Sequence, residues 1–277
     1  MKRSVVLLSL ALAAAAGPAA ARAQFLAEEI AQRPALEEFL RTARIVKFEQ
    51  IGEGVTNPWR LYLEKDGLER KAAWKNPRGY LNGFLEGWQY EIAAYRLDKL
   101  LGLNMVPPAV ERRFKGQAGA LVLWVENKYS LLTIVEQGIR IPDEAQDHTE
   151  KMKYLARAWD SLIANEDRTQ QNILYTKDWR VILFDHSRAF RSGGEFDERL
   201  MFGRNGIKTG ESGAPFLFRK LPRSFVDRIK ALTFDNVRAA AGKTLTDKEV
   251  RGILARRDLL LREIDLMVRE QGQGVLY

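Results

Sequence analysis

Three oxygen-bearing side chains stand close together in the stretch NEDRTQQNILYTKDWRVILFDHSRAF. Asp167 is followed five residues later by Asn172, and Asp185 comes thirteen after that. An Asp to orient an attacking hydroxyl, with an Asn and a second Asp as hard oxygen ligands for Mg2+, is the set that phosphoryl transfer requires. Each of the three, taken alone, is equally a turn residue. The first half of the chain holds further pieces of the same chemistry. Gly52 and Gly54, in IGEGVTNP, would let backbone N–H groups approach phosphate oxygens, although a plain hairpin turn also explains them. Lys75 ends the apolar run AAWK; it could meet a polyphosphate as a point charge, or snorkel at a strand edge. Glu91, near the start of the next helix, could pair with Lys75 and hold it, or be a solvated carboxylate. Glu86 is a possible substitute for it.

The elements that must position these residues are legible from periodicity. Pro34 to Arg44 reads as a short helix with Leu36, Phe39 and Leu40 on one side. RIVKFEQ reads as a strand, and WRLYLEKDGLERKAAWK as two strands joined at Asp66-Gly67. KNPRGYLNGFLEG reads as a loop rich in Gly and Asn. Trp88 to Leu101 is a predicted helix, with Gly102 at its stop. MVPPAVERRF and AGALVLWVE read as two further strands. The second half changes period. Met152, Leu155, Trp159, Leu162 and Ile163 predict a helix over Glu150 to Ala164. Strands near Ile173–Tyr175 and Val181–Phe184 would bring Asn172 and Asp185 to one end of a hairpin. The glycine-rich segment from Arg191 to Pro215 is long for a plain connection and predicts a mobile functional loop. Pro222 suits a first helical turn, and Thr246 with Glu249 forms a capping-box pattern before a long helix reaching about Glu270.

Composition narrows the class. The chain has 277 residues, 46% apolar and 29% charged, as expected of a globular protein. The net charge is +8, and Lys2, Arg3 and Arg22 of the first 23 residues contribute to it. Charges of both signs alternate elsewhere, so no nucleic-acid partner is indicated. The absence of Cys excludes disulfides, thiolate metal sites and a Cys nucleophile. Two His and no His-Glu-x-x-His argue against zinc. GESGAP, from Gly210 to Pro215, matches a serine-protease nucleophile motif, but no partner His motif accompanies it. No paired-carboxylate pattern supports glycosidase chemistry. The N-terminus MKRSVVLLSLALAAAAGPAAARAQF has a basic start, a short apolar core and a small-residue site. It predicts a signal peptide over residues 1–23, cleaved before Gln24, and hence an exported, periplasmic or secreted protein with no stable membrane anchor.

The order Gly-x-Gly, strand Lys, helix Glu, Asp-x-x-x-x-Asn, Asp resembles that of the protein-kinase-like superfamily. DRTQQNIL is similar to the Asp-Arg-His-x-x-Asn-Ile motif of the phosphatidylinositol 3- and 4-kinases. NEDR is similar to the Asn-x-Asp-Arg of secretory-pathway (Golgi) kinases. EIAAYRLDKLLGLNMVPPAV resembles a helix and strand of HipA-like kinases, and FDHSRAF stands where the Asp-Phe-Gly or Asp-Asn-Gly motif stands. The resemblance covers roughly Ile45 to Phe190.

It implies an α+β, two-lobed kinase-like fold. A helical extension would span 24–44, a β-rich N-lobe 45–128 and a mainly helical C-lobe 129–277. By the same resemblance Gly52 and Gly54 cover the phosphates, Lys75 contacts them and Glu91 anchors Lys75. The segment near Glu126 offers backbone groups to adenine. Asp167 is the catalytic base, and Asn172 and Asp185 are metal ligands. The implied activity is an ATP- and Mg- (or Mn-) dependent phosphotransferase whose acceptor is a protein, lipid or small molecule. Two departures stand inside the motif. Thr169 occupies the place of a phosphate-steadying Lys, and Ser187 that of a Gly. An exported protein would meet little ATP, which keeps a pseudokinase-like nucleotide-binding or scaffolding module as the alternative. Transfer of AMP would use the same groups.

Overall fold

The computed structural model describes residues 25–52 and 58–277. The expected signal segment, its cleavage point before Gln24, and Gly54 lie outside the described residues. Two short helices come first, α1 (Ala27–Ala31) and α2 (Arg33–Thr42). Pro34 sits in the first turn of α2, where its missing N–H costs nothing. Strands β1 (Arg44–Gln50), β2 (Trp59–Lys65) and β3 (Leu68–Lys75) follow. Asp66 and Gly67 both take positive φ between β2 and β3, as a two-residue hairpin turn requires.

The expected loop at KNPRGYLNGFLEG is a second hairpin, β4 (Arg78–Leu81) and β5 (Phe84–Gly87). Asn82 (φ 51°) and Gly83 (φ 84°) form its turn. The Asn-Gly pair was the signal for this hairpin, masked by the other glycines around it. Helix α3 (Gln89–Leu101) ends at left-handed Gly102, and β6 (Ala109–Phe114) and β7 (Gln117–Leu123) complete the first half.

These strands form an antiparallel sheet of order β1-β2-β3-β7-β6. Strand alternation divides its faces. Leu61, Leu63, Ala72, Trp74, Val110 and Leu121 pack under Phe39, Leu40 and Ala43, at and beyond the end of α2. Ala109, Ala120 and Val122 join the α3 side of the core. Lys75, one residue on from Trp74, therefore points toward α3.

The second half is mainly helical. It holds β8 (Tyr129–Ser130), α4 (Leu131–Glu136), α5 (Asp143–Leu162), β9 (Ile173–Tyr175) and β10 (Val181–Leu183). Helix α5 begins seven residues before the expected start, because Pro142 supplies its N-cap and acidic Asp143 and Glu144 its first turn. A short α6 (Glu195–Glu198), then α7 (Arg223–Lys230), α8 (Phe234–Ala241) and α9 (Asp247–Gln271), complete the chain. The Thr246–Glu249 capping box forms as expected.

The first part of the segment 191–215 is packed, against the expectation of a mobile loop, whereas residues 211–215 are exposed. Leu200, Met201 and Phe202 are buried in the core. Fully buried Arg256 of α9 donates to the carbonyls of Arg191 (2.9 Å), Phe196 (3.0 Å) and Leu162 (2.9 Å). Among the described residues no helix is long and apolar enough to cross a membrane.

Candidate active site

Lys75 ends β3, the central strand of the sheet, and pairs with Ala120 of β7; only 2% of its side chain is exposed. It is not a snorkelling edge lysine. A buried ammonium requires paired charge, and it has two partners. Glu91 Oε1 lies 2.9 Å from Nζ and Asp185 Oδ1 3.0 Å, with the Phe184 ring 4.1 Å away. Burial works against the charge of Lys75, but Asp185 and then Glu91 outweigh it and raise its pKa. Glu91 is the third residue of α3, where the helix N-terminus favours a carboxylate. Its other oxygen accepts the backbone N–H of His186 at 3.2 Å. It thus joins the sheet, α3 and the turn after β10. Burial, with the neighbouring Asp185, pushes the Glu91 carboxyl up against the pull of Lys75. Glu86 does not replace it; Glu86 binds Arg188 instead.

Asp185 follows β10 in a left-handed conformation, φ 55°. Asp is among the few side chains that tolerate this region. Ser187 Oγ donates to its Oδ1 at 3.2 Å, so the residue standing in place of a Gly pins the Asp. Burial raises the Asp185 carboxyl, but the charge and hydrogen bond of Lys75 hold it well below its ordinary value. Its side chain remains 34% exposed, open on the side away from Lys75.

The loop between α5 and β9 is built on an arginine that motif reading passed over. Arg168 binds buried Asp160 of α5 through Nε (3.0 Å to Oδ2) and Nη2 (3.0 Å to Oδ1). Its Nη1 donates to the carbonyls of Asn172 and Phe184, and Nη2 lies 2.9 Å from His186 Nε2. One guanidinium therefore fixes the residues on both sides of the β9–β10 hairpin. Fully buried Asn165 adds to this, donating to Asp160 Oδ1 (3.0 Å) and accepting the N–H of Asp167 (3.2 Å). Asn172 Nδ2 donates to the Asp167 carbonyl at 3.3 Å. The signal for this network was Asp160 on the apolar face of a helix, eight residues before an Arg.

Asp167 is 39% exposed, and Arg188 Nη1 lies 3.1 Å from its Oδ2. Burial first, and the charge of Asp185 as well, raise its pKa; Arg188 opposes them. Thr169 only turns the backbone, its N–H bonded to the Asp167 carbonyl at 2.9 Å.

His186 is fully buried, and its Nε2 faces the Trp159 indole N–H (3.3 Å) as well as Arg168. Both partners are obligate donors, so Nε2 is the acceptor and the ring proton sits on Nδ1. Burial first, then Arg168, push the His186 pKa well below 6.5. The unfolded chain then binds a proton that the folded chain refuses. Stability should fall as pH drops below about 6.5, by up to about 1.4 kcal/mol per pH unit. Melting temperatures from pH 8 to 5 check this: the slope should flatten in His186→Gln, and an equal slope in the variant would contradict it.

Among the described residues no group of three or more His, Cys, Asp or Glu converges as a metal cage. The oxygen donors available are Asp185, open on one side, and Asn172, whose side-chain oxygen receives no hydrogen bond among the described residues. Such a sparse set fits Mg2+ or Mn2+ completed by phosphate and water oxygens.

The remaining expected residues lie apart. Gly52 follows β1, where Ile51 and Pro58 are hydrogen-bonded, and an added Cβ would meet nothing within 4 Å. Glu126 points into solvent, 75% exposed and paired with Lys71 at 2.9 Å. It borders a cavity of about 720 Å³ between α1, α2 and the end of the sheet, lined also by Arg33, Tyr62, Leu123 and Trp124. None of Lys75, Asp167, Asn172 and Asp185 lines that cavity.

No family model matches the sequence, and no curated protein matches it. Solved structures do match. A hydra Fam20 protein solved with sugar aligns at TM-score 0.61 and 15% identity, over 93% of this chain and 95% of that one. A Golgi casein kinase with Mn and ADP bound aligns at 0.60 and 14%, over 90% and 79%. The Helicobacter pylori proinflammatory kinase CtkA aligns at 0.53 and 11%, over 83% and 96%. The chain has the atypical kinase-like fold that these structures share, with a β-rich lobe and a mainly helical lobe.

Proposed function

We propose that this chain is an exported ATP-dependent phosphotransferase that uses Mg2+ or Mn2+. The observation that carries this reading is the triad of buried Lys75 with Glu91 at 2.9 Å and Asp185 at 3.0 Å. A lysine held this way presents a fixed positive charge to phosphate oxygens, with its own position set from α3. Asp185 and Asn172 would hold the metal ion, which supplies neutralisation of phosphate charge. Asp167, its carboxyl pushed upward by burial yet partly open to solvent, receives the proton of the acceptor hydroxyl. The acceptor oxygen bonds to the γ-phosphorus. The bond from that phosphorus to the bridging oxygen breaks, and ADP leaves with the electron pair.

Thermal melts with ATP, with and without Mg2+ or Mn2+, test the reading. ATP at about 100 times its Kd should stabilise wild type by about 2.7 kcal/mol in the presence of metal only, and Asp185→Ala should show no such shift. Asp167→Asn should keep the shift and lose labelled-phosphate transfer by about 10²- to 10⁴-fold. No metal-dependent shift in wild type would end the nucleotide reading. A shift without transfer to protein, lipid or small-molecule panels would assign a nucleotide-binding module instead.

A further inference from the structure

We infer that Arg188 is the cation that grips the transferred phosphoryl group, an inference that rests on the phosphotransferase reading. Arg188 is held from behind. Its Nε and Nη2 both reach Glu86 Oε1, at 2.8 and 2.7 Å, and Glu86 is itself 1% exposed. The guanidinium stacks over the Phe84 ring at 4.4 Å. Both anchors belong to the β4–β5 hairpin, and Gly87 N–H binds the Ser187 carbonyl at 2.9 Å to close the joint. The opposite edge of the guanidinium is the one that meets Asp167, Nη1 to Oδ2 at 3.1 Å.

The charge at this point is what the chemistry needs. A phosphoryl group approaching a carboxylate base is repelled by it, and the repulsion is cancelled most effectively by a cation touching both. A guanidinium edge can share its N–H groups between a carboxylate and a phosphate oxygen. Thr169, two residues after Asp167, offers no charge there. Lys208 is near enough for its charge to act on Asp167, but it makes no ion pair with it. The hairpin acquires a role from this arrangement: it sets the position of Arg188 through Glu86 and Phe84.

The test compares the binding of ADP and of a non-hydrolysable ATP analogue, each with Mg2+, and then single-turnover transfer. Wild type, Arg188→Ala, Arg188→Lys and Lys208→Ala are measured, with circular dichroism to confirm that each is folded. Arg188→Ala should bind ADP as wild type does, lose its preference for the triphosphate analogue, and transfer about 10²- to 10³-fold more slowly. Arg188→Lys should recover part of both losses, and it serves in place of the Ala variant if that one does not fold. Free guanidinium added to Arg188→Ala should raise transfer. Lys208→Ala should show the smaller loss. An Arg188→Ala protein that keeps its triphosphate preference and transfer rate overturns this inference alone. A larger loss in Lys208→Ala than in Arg188→Ala also overturns it. A wild type that binds neither nucleotide overturns the phosphotransferase reading and this inference together.

Discussion

Lys75→Met should abolish the metal-dependent nucleotide shift and slow phosphate transfer by about 10³-fold, losing binding and transfer together. Lys75 serves two carboxylates at once, and both distances are at hydrogen-bond length. Met keeps the length of the side chain and removes only the charge. Glu91 is then left buried without its cation, at a cost on the order of 3–5 kcal/mol. Asp185, 34% exposed, is screened by water and adds less to that cost. Stability and function therefore need separating. The double variant Lys75→Met/Glu91→Gln removes the orphaned charge, so its melting temperature should rise above that of Lys75→Met while transfer stays lost. Melting curves and labelled-ATP transfer on the same preparations check this. Transfer at the wild-type rate in folded Lys75→Met would remove Lys75 from the machinery.

Arg168→Ala should lose about 3–5 kcal/mol of stability, a loss of the same order as that expected of Lys75→Met. In a chain of this size that is a fall on the order of 10 °C in melting temperature. The Arg168 and Asp160 side chains are 4% and 1% exposed, so the pair is little screened. The same guanidinium also satisfies the Asn172 and Phe184 carbonyls, which no other side chain replaces. Asp160→Leu/Arg168→Leu should recover only part of the loss, because the Phe184 carbonyl loses its donor, while the Asn172 carbonyl keeps only the Phe184 N–H at 3.0 Å. Denaturant melts of Asp160→Leu, Arg168→Leu and the double give the coupling energy directly. A loss below about 1 kcal/mol in Arg168→Ala would show that Asn165 and the hairpin hold the loop without it. Nucleotide binding should weaken with stability, since the arginine fixes the segments that bear Asn172 and Asp185.

The elements that the sequence predicts well are those whose signals are local. The Asp66-Gly67 turn, the Gly102 stop and the Thr246–Glu249 cap each depend on a few neighbouring residues, and each is present. The expectations that failed were overruled by their surroundings. Asn82-Gly83 read as loop because the residues around it are also turn-formers, yet backbone pairing closes it into β4 and β5. The glycines of 191–215 suggested mobility throughout, but Arg256, far away in sequence, ties down the start of the segment at Arg191 and Phe196.

By itself the sequence determined the candidate inventory, Lys75, Glu91, Asp167, Asn172 and Asp185, with their order, the strand under Lys75, the helix under Glu91 and the hairpin beside Asn172 and Asp185. Residue type and short-range periodicity suffice for that. Only the tertiary structure decided which of them meet. Lys75 and Glu91 come together because a central strand turns its alternate face toward α3, and Asp185 joins them because β10 ends beside that face. Glu86 went to Arg188 and Glu91 to Lys75, a choice between two nearby carboxylates that spacing left open. Arg168 and Arg188 take their places through partners the fold brings to them, Asp160 eight residues back and the Phe184 carbonyl for the first, Glu86 and Asp167 for the second. A buried charge takes whatever counter-charge the fold places within about 3 Å, and that placement is a property of packing, which no local pattern encodes.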